Sequence, residues 1–317
     1  MRYRKCVYKN MSCEKDDSMK ANMRLLVVIL MIFGNLHAQA EPNKTDLVIF
    51  SFDRPLQLYA LLESVEEYVT GLASIQVIYR TSNEQYEKAY TQVKNRFNTI
   101  AYIPQGPNPA ADFKPLTIRA AFDSPGDYIM FAVDDDIIKD YVDVNECVSM
   151  LEKYRAYGFY LWLGKHISYC YPEQRAQKVP HCTTVEPNVC AWNFKDGECD
   201  WHYPHTVDLA LYRKKDIEHY FKNLHYTAPN NLEGHWAGSA QAVIASKYGL
   251  FYETSKMVNL PLNRVQNIYQ NRSMNFMTPA QMLELFNAGK KIDIKPLYQI
   301  KNNDPHMIYE PTFIERN

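Results

Sequence analysis

The sequence lacks the charge excess, internal repeats and low-complexity tracts that mark several classes of protein. Its 35 Lys and Arg residues nearly balance its 36 Asp and Glu residues, for a formal net charge of -1. We therefore expect neither a disordered chain nor a nucleic-acid-binding protein. The part after residue 40 is mildly acidic and has no overall field to attract anions. An anionic ligand would need a local device such as a metal ion.

A hydrophobic run long enough to span a membrane comfortably is also missing near the N-terminus. Residues 23–36 are apolar, follow Lys20 and Arg24, and precede Ala38-Gln39-Ala40. A transmembrane helix needs about 20 apolar residues. The pattern instead predicts a secretory signal peptide cleaved after Ala40, and therefore an exported protein. The alternative is that residues 1–40 form a short uncleaved anchor that associates with the membrane.

The cysteines contain no standard CxxC pair. Cys147 lies in a helical pattern, and four more cysteines follow within residues 170–199, namely Cys170, Cys182, Cys190 and Cys199. In an oxidising compartment the cluster predicts two local disulfides, with Cys147 as a buried free thiol. The alternative is a zinc site built from some of His181, Cys182, Cys190, Cys199, His202 and His205.

Apolar strands and amphipathic helices alternate after the leader, which predicts βαβ units around a largely parallel sheet. The predicted strands are 46–52, 75–79, 99–103, 128–133, 158–163 and 208–212. The predicted helices are 54–69, 83–97, 115–122, 214–224 and 279–288. No convincing linker follows residue 46, so residues 41–317 are expected to form a single domain.

Three carboxylates, Asp134, Asp135 and Asp136, directly follow the apolar strand 128–133. Ligands of open α/β sheets collect at the carboxyl ends of the strands. Adjacent acids repel one another unless a cation or hydrogen bonds compensate, and a hard divalent ion with substrate phosphates is the usual solution. If the backbone stays extended, Asp134 and Asp136 point the same way. The alternative is a solvated acidic turn or a helix N-terminus.

This arrangement resembles the nucleotide-sugar-dependent glycosyltransferases of the GT-A fold. Asp134-Asp135-Asp136 matches their D-x-D motif after a central strand, and FSFDRPLQLYALLESV resembles their first strand, loop and helix. The resemblance covers residues 46–140 well and the rest loosely. It implies an α/β, GT-A-like, Rossmann-related fold with a mostly parallel sheet flanked by helices. The donor would then bind to about 46–140 and the acceptor to about 141–317.

The resemblance also implies roles for individual residues. Asp134 would contact the ribose or donor sugar, Asp134 and Asp136 would bind Mn²⁺ or Mg²⁺, and Asp135 would lie beside the donor. Further donor-side candidates are Asp53, Arg54, Arg80, Arg119 and Lys114. Each basic residue in this group has the alternative of being an ordinary surface charge.

The acceptor half offers candidates for the base that removes the acceptor hydroxyl proton. Glu233 lies in a segment expected to be a polar loop, residues 230–238, and Asp208 is the second candidate. The alternative for Glu233 is a helix-capping role. Trp236 is a candidate for stacking on the acceptor sugar, and His306 for a third metal ligand.

These features predict a metal-dependent enzyme that moves a sugar from a nucleotide-diphosphate donor to a hydroxyl of a glycan, lipid or protein. One alternative is an exported carbohydrate-binding protein on a catalytically decayed GT-A fold. Another is a nucleotidyltransferase, which usually has a glycine-rich loop after its first strand. The segment SFDRPLQ contains no glycine, which disfavours it.

Overall fold

A nine-stranded sheet flanked by helices organises the computed structural model, which describes residues 44–266 and 272–316. These residues lie in one compact unit, Asn43–Asn317. The predicted α/β class is confirmed, as a mixed α/β structure with a large central sheet flanked by helices. The predicted signal peptide or anchor lies outside the described residues.

The strands are numbered in chain order. They are β1 Thr45–Phe52, β2 Val69–Thr70, β3 Leu72–Arg80, β4 Ala101–Pro104, β5 Tyr128–Val133, β6 Asp136–Ile138, β7 Val142–Asp143, β8 Gly158–Tyr160, β9 Tyr169–Cys170, β10 Arg175–Ala176, β11 Thr183–Glu186, β12 Val189–Asn193, β13 Ala210–Arg213, β14 Tyr248–Tyr252, β15 Met257–Asn259, β16 Lys290–Ile292 and β17 Phe313–Glu315.

The helices pack around this sheet. They are α1 Pro55–Tyr68, α2 Glu84–Arg96, α3 Pro109–Phe122, α4 Val144–Tyr154, α5 Lys214–Asn223, α6 Pro229–Gly238, α7 Gln241–Ser246 and α8 Pro279–Asn287, with short 3-10 helices at Phe194–Asp196, Cys199–His202 and Lys295–Leu297. Among the residues that the structure describes, no helix combines the length and apolar character needed to cross a membrane.

The central sheet has the order β11-β12-β14-β8-β13-β5-β1-β3-β4. Strands β5, β1, β3 and β4 run parallel, as the alternation of strands and helices predicts. Strand β13 is antiparallel to both β5 and β8, and β12 is antiparallel to β11 and β14. The sheet is therefore parallel in its first half and mixed in its second, where no regular βαβ pattern exists to enforce one direction.

Local sequence signals explain the parallel half. Strand β1 is buried along almost its whole length, which suits a strand covered by helices on both faces. Helix α2 begins after Asn83, whose side chain accepts hydrogen bonds from the amides of Gln85 and Tyr86. Thr278 caps α8, as the sequence predicts. These strands and helices place the ends of β1, β3 and β5 side by side.

Two segments differ from the sequence-based expectation. Helix α3 begins at Pro109 rather than at Pro115, because Asn108 caps it and Pro109 fits the first helical position. Residues 230–238 belong to helix α6 rather than to a loop. Its start is closed by the Asn231 side chain, which accepts hydrogen bonds from the amides of Thr227 and Ala228, each at 2.9 Å.

Candidate active site

A cavity of about 1250 Å³ opens where β1, β3 and β5 end. This is the edge at which open α/β sheets bind ligands. Ser51, Arg80 and Asp134 line it from the strand ends. The opposite walls come from the second half of the chain, including residues 170–174, 206–208, 261 and 263–266. Both halves of the sequence therefore contribute to one site.

The acidic triplet forms a turn rather than an extended strand. Strand β5 ends at Val133, and β6 begins at Asp136, whose carboxylate accepts a 3.0 Å hydrogen bond from the amide of Val133. Because this bond closes the turn, alternation along a strand does not govern the side chains, and that expectation was wrong. Asp134 and Asp135 line the cavity, whereas Asp136 is fully buried behind them.

Arg54 offsets the negative charge on the side of this turn that faces the cavity. Its Nη1 donates to Asp134 Oδ1 at 2.9 Å and to Asp135 Oδ2 at 3.0 Å. Burial raises the pKa of Asp134 to about 6, although the Arg54 guanidinium acts to lower it. The repulsion expected between adjacent acids is thus offset by a cation from the loop after β1. Arg54 itself is held by Asn263 Oδ1, which accepts from Nε at 3.0 Å.

Asn259 supports the inner side of the turn. Its side-chain amide donates to Asp135 Oδ1 at 3.2 Å and to Asp136 Oδ1 at 3.0 Å. Burial, followed by the charge of Asp135, holds the pKa of Asp136 well above its usual value. Asn259 and Asn263 are site residues that sequence reasoning missed, because no local pattern marks an asparagine whose partner, a carboxylate or Arg54, lies more than 100 positions away.

Asp208 and Glu233, the two predicted base candidates, both line the cavity. Glu233 Oε1 accepts hydrogen bonds from Thr206 Oγ1 at 2.7 Å and from the Val207 amide at 3.1 Å. Burial raises the pKa of Glu233 against these two bonds. For Asp208, burial and then the charges of Asp136 and Glu233 hold the pKa well above its usual value. The structure brings the two carboxyl groups close enough to influence one another.

His306 lines the same cavity as Asp134 and Asp135. Its Nδ1 atom is buried without a hydrogen-bond partner and lies 3.8 Å from Asp304 Oδ1. Burial lowers the pKa of His306, while the charge of Asp135 acts to raise it. A neutral imidazole with an unpaired nitrogen beside carboxylates is the form that binds metal ions.

The basic and acidic residues predicted on the donor side fall into two groups. Arg80 lines the cavity, with its guanidinium 3.6 Å from the centre of the Phe52 ring. Asp53 has a φ of 51° and accepts a 2.8 Å hydrogen bond from the Ser82 amide, so it shapes the loop outside the cavity lining. Arg119 is exposed on α3 and does not line the cavity.

Lys114 also lies outside the cavity lining, because its ammonium group donates to the carbonyls of Lys222 and Leu224. Trp236, the candidate for stacking on the acceptor sugar, is likewise absent from the cavity lining. Its ring is fully buried and lies parallel to that of His205, with 4.7 Å between the ring centres. Trp236 lies one turn after Glu233 in α6 and packs into the core beside it, which a loop assignment could not reveal.

The cysteines and histidines do not assemble as the zinc alternative required. Among the residues that the structure describes, the potential metal-binding group of three is Cys170, Glu173 and Cys199. His205 is instead buried and paired with the Tyr157 hydroxyl at 2.7 Å. Across residues 44–266 and 272–316 all five cysteines are free thiols. The predicted disulfides therefore stay a prediction.

Comparisons with known proteins support the resemblance inferred from the sequence. No family model matches the chain. The chain is 26% identical over 264 residues to the bifunctional glycosyltransferase pgtA of Dictyostelium discoideum, covering 73% of this chain and 33% of that protein. It thus spans about a third of that relative's length. The predicted resemblance to glycosyltransferases is confirmed at this level.

Solved glycosyltransferase structures are similar only over part of the chain. GalNAc-T7 with UDP, GalNAc and Mn²⁺ has a TM-score of 0.43 at 12% identity, covering 76% of this chain and 48% of that chain. TarS 1-349 of S. aureus has a TM-score of 0.39 at 10% identity, covering 67% of this chain and 60% of that chain.

Proposed function

We propose that this protein is a glycosyltransferase that moves a sugar from a nucleotide-diphosphate donor to a hydroxyl acceptor. The observation that carries the proposal is one cavity with two sets of carboxylates. Asp134 and Asp135 lie at the end of β5, and Asp208 and Glu233 lie on the wall built by the second half of the chain. One pair suits the donor and its counter-ion, while the other suits removal of a proton from the acceptor.

The donor diphosphate would lie between the strand ends and the residues after β15. Arg80, Arg264 and Arg272 line this part of the cavity. Guanidinium groups match the geometry of phosphate oxygens and keep their charge when buried. They supply the local positive charge that an acidic protein body needs in order to hold an anionic donor.

We infer that Asp134, Asp135 and His306 would hold Mn²⁺ or Mg²⁺. Carboxylate oxygens suit both ions, and the imidazole of His306, which lines the same cavity, would supply the third ligand. Asp136 would support this set from behind, because Asn259 bridges it to Asp135. When bound, the ion would offset the negative charge of the leaving diphosphate.

Glu233 is our choice for the acceptor base. Its two hydrogen bonds from Thr206 and Val207 both end on Oε1, so Oε2 can receive the acceptor hydroxyl proton. These donated bonds stabilise the ionised form, which a base needs, while burial raises the pKa and strengthens the base. Asp208 would hold a proton beside it, since burial and the charges of Asp136 and Glu233 disfavour its ionisation.

The test is a panel of nucleotide sugars with glycan and lipid acceptors, assayed with and without Mn²⁺. Release of nucleoside diphosphate coupled to a glycosylated product is the expected result. The variant Glu233→Gln should keep donor binding and lose transfer, which separates the two steps. Donor binding without transfer would favour a carbohydrate-binding protein, and release of pyrophosphate would favour a nucleotidyltransferase.

We also propose that the protein acts in an oxidising secretory compartment. The proposal is supported by the basic, apolar and A-x-A segments of residues 20–40. N-terminal sequencing of exported protein should begin at Glu41. A mature protein that retains residues 1–40 would favour the membrane-anchored form.

A further inference from the structure

Two thiols meet at the wall of the cavity. The sulfur atoms of Cys170 and Cys199 and a carboxylate oxygen of Glu173 all lie within 4.8 Å of one another. Cys170 is buried at the end of β9, and Cys199 begins a 3-10 helix. Both residues line the cavity. The fold thus brings together two cysteines that are 29 positions apart in the sequence.

A second pair of thiols lies away from the cavity. Strands β11 and β12 are antiparallel, with Thr184 opposite Cys190. Cys182 lies two residues before Thr184, so alternation along the strand places it on the same face, diagonal to Cys190. Neither Cys182 nor Cys190 lines the cavity. The four clustered cysteines therefore form two separate pairs, whereas a zinc site would draw four ligands to one point.

We propose that Cys170 and Cys199 form a disulfide that fastens the rim hairpin to the cavity wall. The rim hairpin is residues 169–176, in which β9 pairs with β10 and the turn between them carries Tyr171, Glu173 and Gln174 into the cavity lining. The geometry assigns the second bond to Cys182 and Cys190. Neither assignment depends on the proposed function.

Forming the Cys170–Cys199 bond requires an oxidant, which we take to be a small-molecule disulfide such as glutathione disulfide. Each protein thiol gives up one proton and one electron. The oxidant's sulfur–sulfur bond breaks as the Cys170–Cys199 bond forms through a mixed disulfide, and two small thiols are released. Export into an oxidising compartment would supply such an oxidant.

Backbone hydrogen bonds to the Asn303 carbonyl and the buried Gln177 side chain hold the base of the rim hairpin, whereas its turn has weaker contacts. Arg175 pairs with Glu173 and Glu198, but these side chains are about half exposed, and such surface pairs contribute little. Cys199 has a φ of 49°, a region that residues other than glycine seldom adopt. At the hairpin tip, the Tyr171 ring lies nearly parallel to His306 with 6.3 Å between centres. A covalent bond would keep this tip against His306.

Peptide mapping tests the pairing. The full protein, equilibrated with glutathione disulfide, is alkylated without reduction and digested with trypsin. We expect peptide 166–175 joined to 196–213, peptide 179–195 carrying an internal bond, and an alkylated Cys147. Alkylated Cys170 and Cys199 would overturn the proposal, as would stoichiometric zinc that protects both thiols from alkylation.

Hydrogen–deuterium exchange tests the role of the bond. Cys199→Ser should speed exchange in residues 169–176 by about tenfold or more, because local opening no longer has to break a covalent link. Cys190→Ser, which removes the other pair, is the matched control and should leave this hairpin unchanged. Wild-type protein treated with a reductant should reproduce the Cys199→Ser result. Equal exchange in oxidised and reduced wild-type protein would refute the role.

Discussion

Replacing Arg54 with methionine removes the cation that pairs with the Asp134 and Asp135 carboxylates of the acidic turn. The Arg54 side chain is only 10% exposed, and its partners Asp134 and Asp135 are 5% and 12% exposed. Breaking a buried ion pair by removing one partner costs about 3–5 kcal/mol, because the remaining charge loses its compensation. Methionine keeps much of the apolar volume, so we attribute a loss of this size to the charge rather than to a cavity.

The loss should depend on pH in a defined direction. In the wild-type protein burial already raises the pKa of Asp134 to about 6, above its value of 3.8 in the unfolded chain. Without Arg54 this pKa rises further, so the folded variant takes up protons more readily than the unfolded chain does. The deficit relative to wild type should therefore be largest near pH 8 and shrink as the pH falls from 8 toward about 6, where Asp134 becomes protonated in both folded proteins.

Urea unfolding at pH 8 and pH 5.5 measures both effects. Arg80→Met is the matched control, because the guanidinium of Arg80 packs on the Phe52 ring and such a contact contributes about 0.5–1 kcal/mol. Arg54→Met should also bind Mn²⁺ more tightly without donor, since the ion no longer competes with a guanidinium. Unfolding within about 1 kcal/mol of wild type at pH 8, or a gap of equal size at both pH values, would refute the reasoning.

Three further changes test other parts of the site. Glu233→Gln should lower transfer at least about 100-fold, with donor affinity by calorimetry nearly unchanged. Asp136→Asn should lower the free energy of unfolding, measured by thermal melting, by about 1–3 kcal/mol. The new side-chain NH₂ group would face either the Val133 N–H or the Asn259 side-chain amide, and both of these are themselves donors. Burial raises the pKa of Asp200 to about 6, so the free energy of unfolding of the wild type should fall as the pH rises from 4 to 6. In Asp200→Asn, urea titrations should show a decrease that is smaller by up to about 3 kcal/mol.

The first half of the fold was predictable because its signals are local. Strand β5 is buried on both faces, and its sequence is accordingly a continuous apolar run. Helices α2 and α8 begin after capping side chains that can be recognised in the sequence. The end of β5 then places Asp134 at a ligand-binding edge by topology alone. Each of these features depends on a window of a few residues.

The second half was less predictable because its signals are distant or ambiguous. Strand β13 has only four residues and gains its direction from antiparallel pairing with β5 and β8. The polar and glycine-containing sequence of α6 suggested a loop, yet Pro229 at its first position and the Asn231 side chain close its start. Buried contacts of Leu232 and Trp236 then override weak helix propensity.

The acidic turn depends on residues far outside 46–140. Strand β15 pairs with β6, and the Leu260 amide donates to the Asp135 carbonyl at 2.8 Å. Asn259 then holds the Asp135 and Asp136 carboxylates, while Asn263 holds Arg54. Residues from the end of β15 therefore hold Asp135, Asp136 and Arg54, whereas Ser51 and the Phe52 amide of β1 hold Asp134.

This dependence couples the two walls of the cavity. The segment that orients Asp135 continues directly into Pro261, Asn263 and Arg264, which line the cavity themselves. A ligand that moves this segment would also shift the hydrogen bonds from Asn259 and Asn263, and with them the charge balance between Arg54 and the acidic turn. Because coupling between two ligands is reciprocal, a ligand that fixes the turn and a second ligand that contacts the segment should change each other's affinity by the same factor.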